Sequence, residues 1–75
     1  MSYDKNFRLV IASLPDRENC VCEIYYNQIQ WAEISQENGI IMIQFYPHPH
    51  QEYWEFPMDV ALAILQKAQK YFLGE

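Results

Sequence analysis

Three stretches within residues 1–46 are rich in β-branched and aromatic residues, which predicts strands. The first, 6–13, alternates between two faces with a period of two. The second, 20–34, has the length and composition of two strands that fold back on each other at Asn27-Gln28. The third, 40–46, is apolar on both faces, so we expect it to form a central strand of the sheet.

The segments between these stretches contain turn residues. Pro15-Asp16 breaks the chain after the first strand and predicts a hairpin loop over 14–19. Asn38-Gly39 accepts the positive φ values that a tight hairpin requires. The prolines of 47–51 lack an N–H for a strand ladder, so this segment is expected to be a loop. Residues 52–56 then form either a short fifth strand or an extended lead into the next element.

The hairpin within 20–34 can adopt two registers, which place Trp31 on opposite faces, because a shift of one residue exchanges the faces of a strand. A two-residue loop places Trp31 beside Ile24. A three-residue loop over 27–29 places Trp31 with Tyr25, and we favour it because it leaves no carboxylate among the aliphatic side chains. The aliphatic face then contains Cys20, Cys22, Ile24, Ala32 and Ile34, and the outer face contains Val21, Glu23, Tyr25, Trp31 and Glu33.

From Pro57 onward the apolar residues recur at helical spacing. Proline suits the first helical position, Asp59 complements the helix dipole in the first turn, and Gly74 is a suitable stop. The stripe expected to face the sheet consists of Met58, Ala61, Leu62, Leu65, Ala68 and Phe72. The apolar surface of the helix is wider than one sheet face needs, because it also includes Val60, Ile64 and Tyr71. We therefore expect self-association through these three residues.

This order of elements predicts a single α+β domain over residues 1–75, an antiparallel β-meander of four or five strands with one C-terminal helix packed on one sheet face. A chain of this length builds a modest core, which small domains often supplement with disulfides, metals or oligomerisation. Cys20 and Cys22 lie on one face of one strand, a poor geometry for a mutual disulfide. We therefore expect buried, reduced thiols and a homodimer.

The net charge of −5 is distributed unevenly, because no lysine or arginine occurs between Arg17 and Lys67. Such an acidic surface repels phosphate groups, so we expect a basic protein partner and no direct binding to nucleic acid. The first residues are polar, and the longest aliphatic run, 60–65, is too short to cross a bilayer. A cytoplasmic protein without membrane contact is the expectation.

Few residues suggest catalysis. His48 and His50 could hold a metal together with a nearby glutamate, but a closed structural zinc site needs about four ligands. Glu23 and Glu33 face each other in the favoured register, yet two solvated carboxylates would not divide acid and base roles. We therefore expect no enzyme activity, no catalytic residue, no cofactor and no metal. The alternative is a small metal-dependent enzyme or metal-binding factor that uses the His48/His50 loop.

The chain contains two tryptophans, six tyrosines and four phenylalanines, more than one small core easily holds. Tyrosine and tryptophan are favoured at protein interfaces because they combine a large contact area with a polar tip. We therefore predict a protein-binding module, for example an inhibitor or immunity-type protein whose acidic, aromatic sheet face binds a basic partner. The predicted partner-binding residues are Glu23, Tyr25, Trp31, Glu33, Tyr46, Tyr53 and Trp54.

Overall fold

The computed structural model describes residues 3–13 and 19–74, with side chains from residue 5 onward. A 3-10 turn leads into four strands and one helix: η1 (Tyr3–Asn6), β1 (Phe7–Ala12), β2 (Val21–Tyr26), β3 (Ile29–Glu37), β4 (Ile40–Phe45) and α1 (Met58–Leu73). The strands form one antiparallel sheet in the order β1-β2-β3-β4, and α1 packs on one face of it. The predicted α+β meander is confirmed, whereas most of the predicted loop 14–19 lies outside the described residues.

Residues 52–56 do not form a strand; they are a connecting segment, bent at 52–53, that leads into the helix. Pro57 caps α1, and Gly74 closes it in the left-handed conformation with φ 78°, donating its N–H to the carbonyls of Lys70 and Tyr71. Glycine adopts this conformation at no steric cost, which is why the helix ends there. The predicted start and stop of the helix are thus confirmed to within one residue.

The turn between β2 and β3 contains two residues. Asn27 and Gln28 have φ values of 51° and 69°, the left-handed pair that matches the twist of a tight hairpin. The preference for a three-residue loop was therefore wrong. The turn is also anchored to the start of β1, because the Asn27 N–H donates a hydrogen bond to the carbonyl of Asn6 over 2.9 Å.

A β-bulge follows this turn and restores the strand pairing that the three-residue loop was meant to produce. Tyr25 pairs with Gln30, but Ile24 pairs with Ala32, so Trp31 is an extra residue in β3. Beyond the bulge Glu23 stands opposite Glu33, as predicted. A bulge adds one residue to one strand of a pair and bends it locally. The loop was mispredicted, but the register beyond it was right.

The bulge turns Trp31 into the core. Its side chain is only 7% exposed, and its ring centroid lies 5.0 Å from that of Phe56, 5.5 Å from Phe45 and 5.9 Å from Phe7. The prediction that Trp31 lies on the outer face with Tyr25 was therefore wrong. The buried core beneath α1 consists of Cys22, Ile24, Trp31, Ala32, Ile34, Ile64 and Ala68.

Two further predictions about burial need correction. Cys22 is buried in the core, but Cys20 precedes β2 and is exposed, so the thiols are not a buried pair. Of the predicted helix stripe, Ala68 is buried and Ala61, Leu65 and Phe72 pack against the core, whereas Met58 and Leu62 are exposed. Ile64, which was expected at a self-association surface, is buried instead, so the face of α1 that meets the sheet is displaced toward Ile64.

The sheet order places β4 at an edge, so the prediction of a central strand was wrong for the single chain. The helix lies over β1, β2 and β3. Large apolar side chains of β4 are exposed on both faces, with Phe45 at 57% on the helix side and Ile40 at 60% on the opposite side. No helix among the described residues is long and apolar enough to cross a membrane.

Candidate partner-binding face

The sheet face opposite α1, which we call the outer face, carries a group of two carboxylates and two phenols. Glu23 of β2 and Glu33 of β3 stand directly opposite each other, and Tyr25 follows Glu23 on the same side of β2. Tyr46 reaches Glu33 from the end of β4. We call Glu23, Tyr25, Glu33 and Tyr46 the acidic–aromatic cluster.

Each carboxylate of this cluster accepts a hydrogen bond from one tyrosine. The Tyr25 hydroxyl donates to Glu23 Oε1 over 3.0 Å, and the Tyr46 hydroxyl donates to Glu33 Oε1 over 3.2 Å. Hydrogen bonds from neutral donors to charged acceptors are stronger than those between neutral groups. The two contacts therefore fix the directions of both carboxylates and both phenol rings.

The two carboxylates differ in burial. Glu33 is 3% exposed, whereas Glu23 is half-buried and reaches solvent. Ser35, the next residue of β3 on the same face, is also buried, and its Oγ has no hydrogen-bond partner among the described residues. The hydrogen bond from Tyr46 compensates part of the cost of burying Glu33, whereas burial of the Ser35 hydroxyl without a partner is unfavourable.

The surroundings of Tyr25 raise the pKa of its phenol above the usual value. Burial raises the pKa of the Tyr25 phenol, and the hydrogen bond to Glu23 and the negative charges of Glu23 and Glu33 raise it further. Arg8 opposes these effects, with its guanidinium carbon 5.8 Å from the centroid of the Tyr25 ring. The phenol therefore remains protonated well above neutral pH and continues to donate to Glu23.

The other predicted partner-binding residues lie elsewhere. Trp31 is in the core, as described above. Trp54 packs against the rim of the core, where its ring lies 4.4 Å from that of His48 and its Nε1 donates to the carbonyl of Tyr46 over 2.8 Å. Tyr53 is exposed in the segment that leads to α1. The structure therefore brings four of the seven predicted residues together on one face.

The predicted self-association strip is also divided by the structure. Ile64 is buried in the core and is not available to a second copy, while Val60 is half-buried and Tyr71 is exposed. On this flank of α1, a groove is lined by Phe7, Leu9, Ile64 and Tyr71, with Lys67 and Lys70 beside it. Arg8 also borders the groove, but its guanidinium lies over the Tyr25 ring on the outer face.

The histidine loop does not assemble a metal-ligand set in this structure. His50 donates its backbone N–H to Nδ1 of His48 over 3.0 Å, which uses one of the ring nitrogens that a metal would need. The described residues contain no group of three histidine, cysteine, aspartate or glutamate side chains close enough to share an ion. Cys22 is equally unsuited to reaction, because burial raises the pKa of its thiol, and the nearby charge of Glu23 adds to this effect.

No protein-family model, no curated protein and no solved structure matches this chain. The outer face is therefore the feature of this chain from which we infer a function.

Proposed function

We propose that this chain is a small, non-enzymatic protein-binding module that uses its outer face to bind a basic partner. The observation that carries this proposal is the pairing of Glu23 with Glu33 across two strands, with each carboxylate oriented by a tyrosine hydroxyl. An inhibitor or immunity-type protein that covers a basic surface is the concrete form. The cytoplasm as its location, and the lack of direct contact with nucleic acid, belong to the same proposal.

The chemistry of the cluster suits an arginine or lysine side chain of the partner. Glu23 provides a solvent-accessible carboxylate, and a guanidinium group can bind a carboxylate through two parallel N–H donors. Glu23 reaches solvent and would make the direct contact. Glu33 is buried behind it and would contribute its negative charge and hold the Tyr46 hydroxyl in place.

The two phenol rings add contact area and specificity to this charge. Tyr25 and Tyr46 stand beside the carboxylates on the outer face, and aromatic faces also attract cations. Their hydroxyls are already engaged, so less conformational entropy is lost when a partner binds. Strands β2, β3 and β4 contain no lysine or arginine, and this negative charge would accelerate association with a basic partner, whereas Arg8 of β1 lies over the Tyr25 ring and offsets part of the charge at that end of the face.

A comparison of two double variants tests the proposal. Glu23→Gln/Tyr25→Ala removes one carboxylate and one tyrosine from the outer face. Glu55→Gln/Tyr71→Ala removes the same two chemical groups from exposed positions outside it. Both variants should first be shown to unfold cooperatively. Each is then used with wild type to co-purify proteins from the native host at low and moderate salt.

We expect a basic protein that binds wild type and the Glu55→Gln/Tyr71→Ala variant but not the Glu23→Gln/Tyr25→Ala variant. Its binding should weaken as salt increases, because surface charge interactions are screened. A partner that is retained equally by both variants would contradict the assignment to the outer face. A partner whose binding surface is acidic would contradict the charge argument.

A further inference from the structure

β4 is an edge strand with apolar side chains on both of its faces. Ile41, Ile43 and Phe45 point to the α1 side, and Ile40 and Met42 point to the outer face. Edge strands of soluble proteins are normally protected from pairing by charged residues, proline, a bulge or a cover. β4 contains no charged residue and no proline, and it pairs with β3 without interruption.

The charge distribution indicates which partner could pair with this edge. The chain carries a net charge of −5, so two copies repel each other over most of their surfaces. β4 lies in the longest stretch of the sequence without aspartate, glutamate, lysine or arginine, residues 38–51. A second copy can approach along this strip without bringing like charges together, whereas a basic partner would gain nothing from it.

We propose that β4 pairs with β4 of a second copy, so that two four-stranded sheets join into one continuous eight-stranded sheet. This pairing does not depend on the proposed function. In such a sheet β4 is a central strand, and an apolar composition on both faces is what a central strand requires. In the dimer, β4 then occupies the central position that its amino-acid composition predicts.

The register of this pairing follows from symmetry. A two-fold axis perpendicular to the sheet makes the strands antiparallel, keeps both helices on one face, and pairs only residues that point to the same face. An axis through Ile43 uses the whole of β4 together with Tyr46. The resulting pairs are Ile43 with Ile43, Ile41 with Phe45, Met42 with Gln44, and Ile40 with Tyr46. Every pair on the helix side is then apolar.

The free flank of α1 enlarges the surface that this dimer can bury. Ile64, Lys67 and Tyr71 line the groove over β1, so the opposite flank, which includes the exposed Leu62, lies on the β4 side of the helix. Six large side chains are available: Ile40, Met42, Ile43, Phe45, Tyr46 and Leu62. At about half exposure, each offers on the order of 100 Å². With the strand backbone, they approach the about 800 Å² per partner of a standard interface.

Two lysine variants test the pairing. Ile43 and Ile11 are each 40% exposed, face the α1 side, and lie on the two opposite edge strands, which makes Ile11→Lys a matched control for Ile43→Lys. In the proposed register, Ile43→Lys places two lysines opposite each other. Sedimentation or light scattering over a concentration series should show a wild-type dimer, the same dimer for Ile11→Lys, and a dissociation constant raised by roughly 100-fold or more for Ile43→Lys.

Ile40→Lys is a second variant of β4 that should fold normally, because Ile40 is 60% exposed and its replacement leaves the core intact. It should also weaken the dimer. Wild type that remains monomeric up to about 1 mM would overturn the proposal, and so would equal dissociation by Ile11→Lys and Ile43→Lys. Because none of these variants alters Glu23 or Tyr25, such a failure would leave the proposed function of the outer face standing.

Cross-linking tests the register itself. In a Cys20→Ser background, Ile43→Cys should give a covalent dimer with a short bismaleimide, since the two thiols would stand opposite each other. Arg8→Cys, on the β1 edge, should not. Equal cross-linking from both positions would exclude specific pairing through β4.

Discussion

Trp31 and Glu33 lie two residues apart in β3, and both are almost fully buried, yet they occupy opposite faces of the sheet. In a regular strand they would share a face. The bulge separates them: Trp31 and Ala32 together stand against Ile24, while Glu33 continues on the outer face opposite Glu23. A single extra residue thus gives the helix side an aromatic core and leaves the outer face a buried carboxylate.

The aromatic core around Trp31, on the helix side of the sheet, should contribute more to stability than the outer face. Trp31→Ala removes a ring that contacts Phe7, Phe45 and Phe56 in the core, so we expect the free energy of unfolding to fall by about 3–5 kcal/mol. Trp54→Ala should cost less, because Trp54 is only half-buried at the rim. Urea unfolding monitored by circular dichroism measures both, and equal losses would show that the bulge does not make Trp31 central to the core.

The hydrogen bonds of the outer face are tested by removing the hydroxyls of Tyr25 and Tyr46 separately. Tyr46→Phe removes a donor to the buried Glu33, and we expect a loss of about 1–3 kcal/mol, as for a buried charged acceptor. Tyr25→Phe removes a donor to the half-buried Glu23, where water can replace it, so the loss should be smaller. If Tyr25→Phe lowered the free energy of unfolding more than Tyr46→Phe, burial would not determine how much these hydrogen bonds contribute to stability.

The turn that precedes the bulge offers a gain in stability. Gln28 has a φ of 69°, which costs a non-glycine residue on the order of 1 kcal/mol. Gln28→Gly should therefore raise the free energy of unfolding by about 0.5–1 kcal/mol. Gln30→Gly, a control two residues later in β3, should lower it because glycine weakens a strand. Destabilisation by Gln28→Gly would indicate that its side chain matters more than its backbone conformation.

The smallest effect should appear at alkaline pH. The folded state raises the pKa of Tyr25 above its usual value of about 10, so it binds more protons than the unfolded state in that range. The resulting stabilisation is fully present below pH 10 and is lost as the pH rises through the folded pKa. Wild type should lose stability above pH 10 more steeply than Tyr25→Phe. The buried Cys22 thiol contributes a loss of the same sign to both proteins, so the difference between them isolates Tyr25.

Much of the fold followed from local patterns. The Asn38-Gly39 turn has φ values of 52° and 79°, as its sequence predicts, and the limits of α1 follow from Pro57 and Gly74. The Glu23–Glu33 pair was also predictable, since it places the aliphatic residues of both strands on one face. These features depend on residues close in sequence or on the two-residue period of a strand.

The sequence alone determined the meander, the helix, the acidic interval and the pairing of the two glutamates. Three features were decided only by the tertiary structure. The bulge moved Trp31 into the core, because a two-residue turn and one extra strand residue give the same downstream register as a longer loop. The helix buries Ile64 against the sheet and leaves Met58 and Leu62 of the predicted stripe exposed. The strand order placed β4 at an edge, since a meander of four strands leaves its last strand unpaired on one side, whatever its composition.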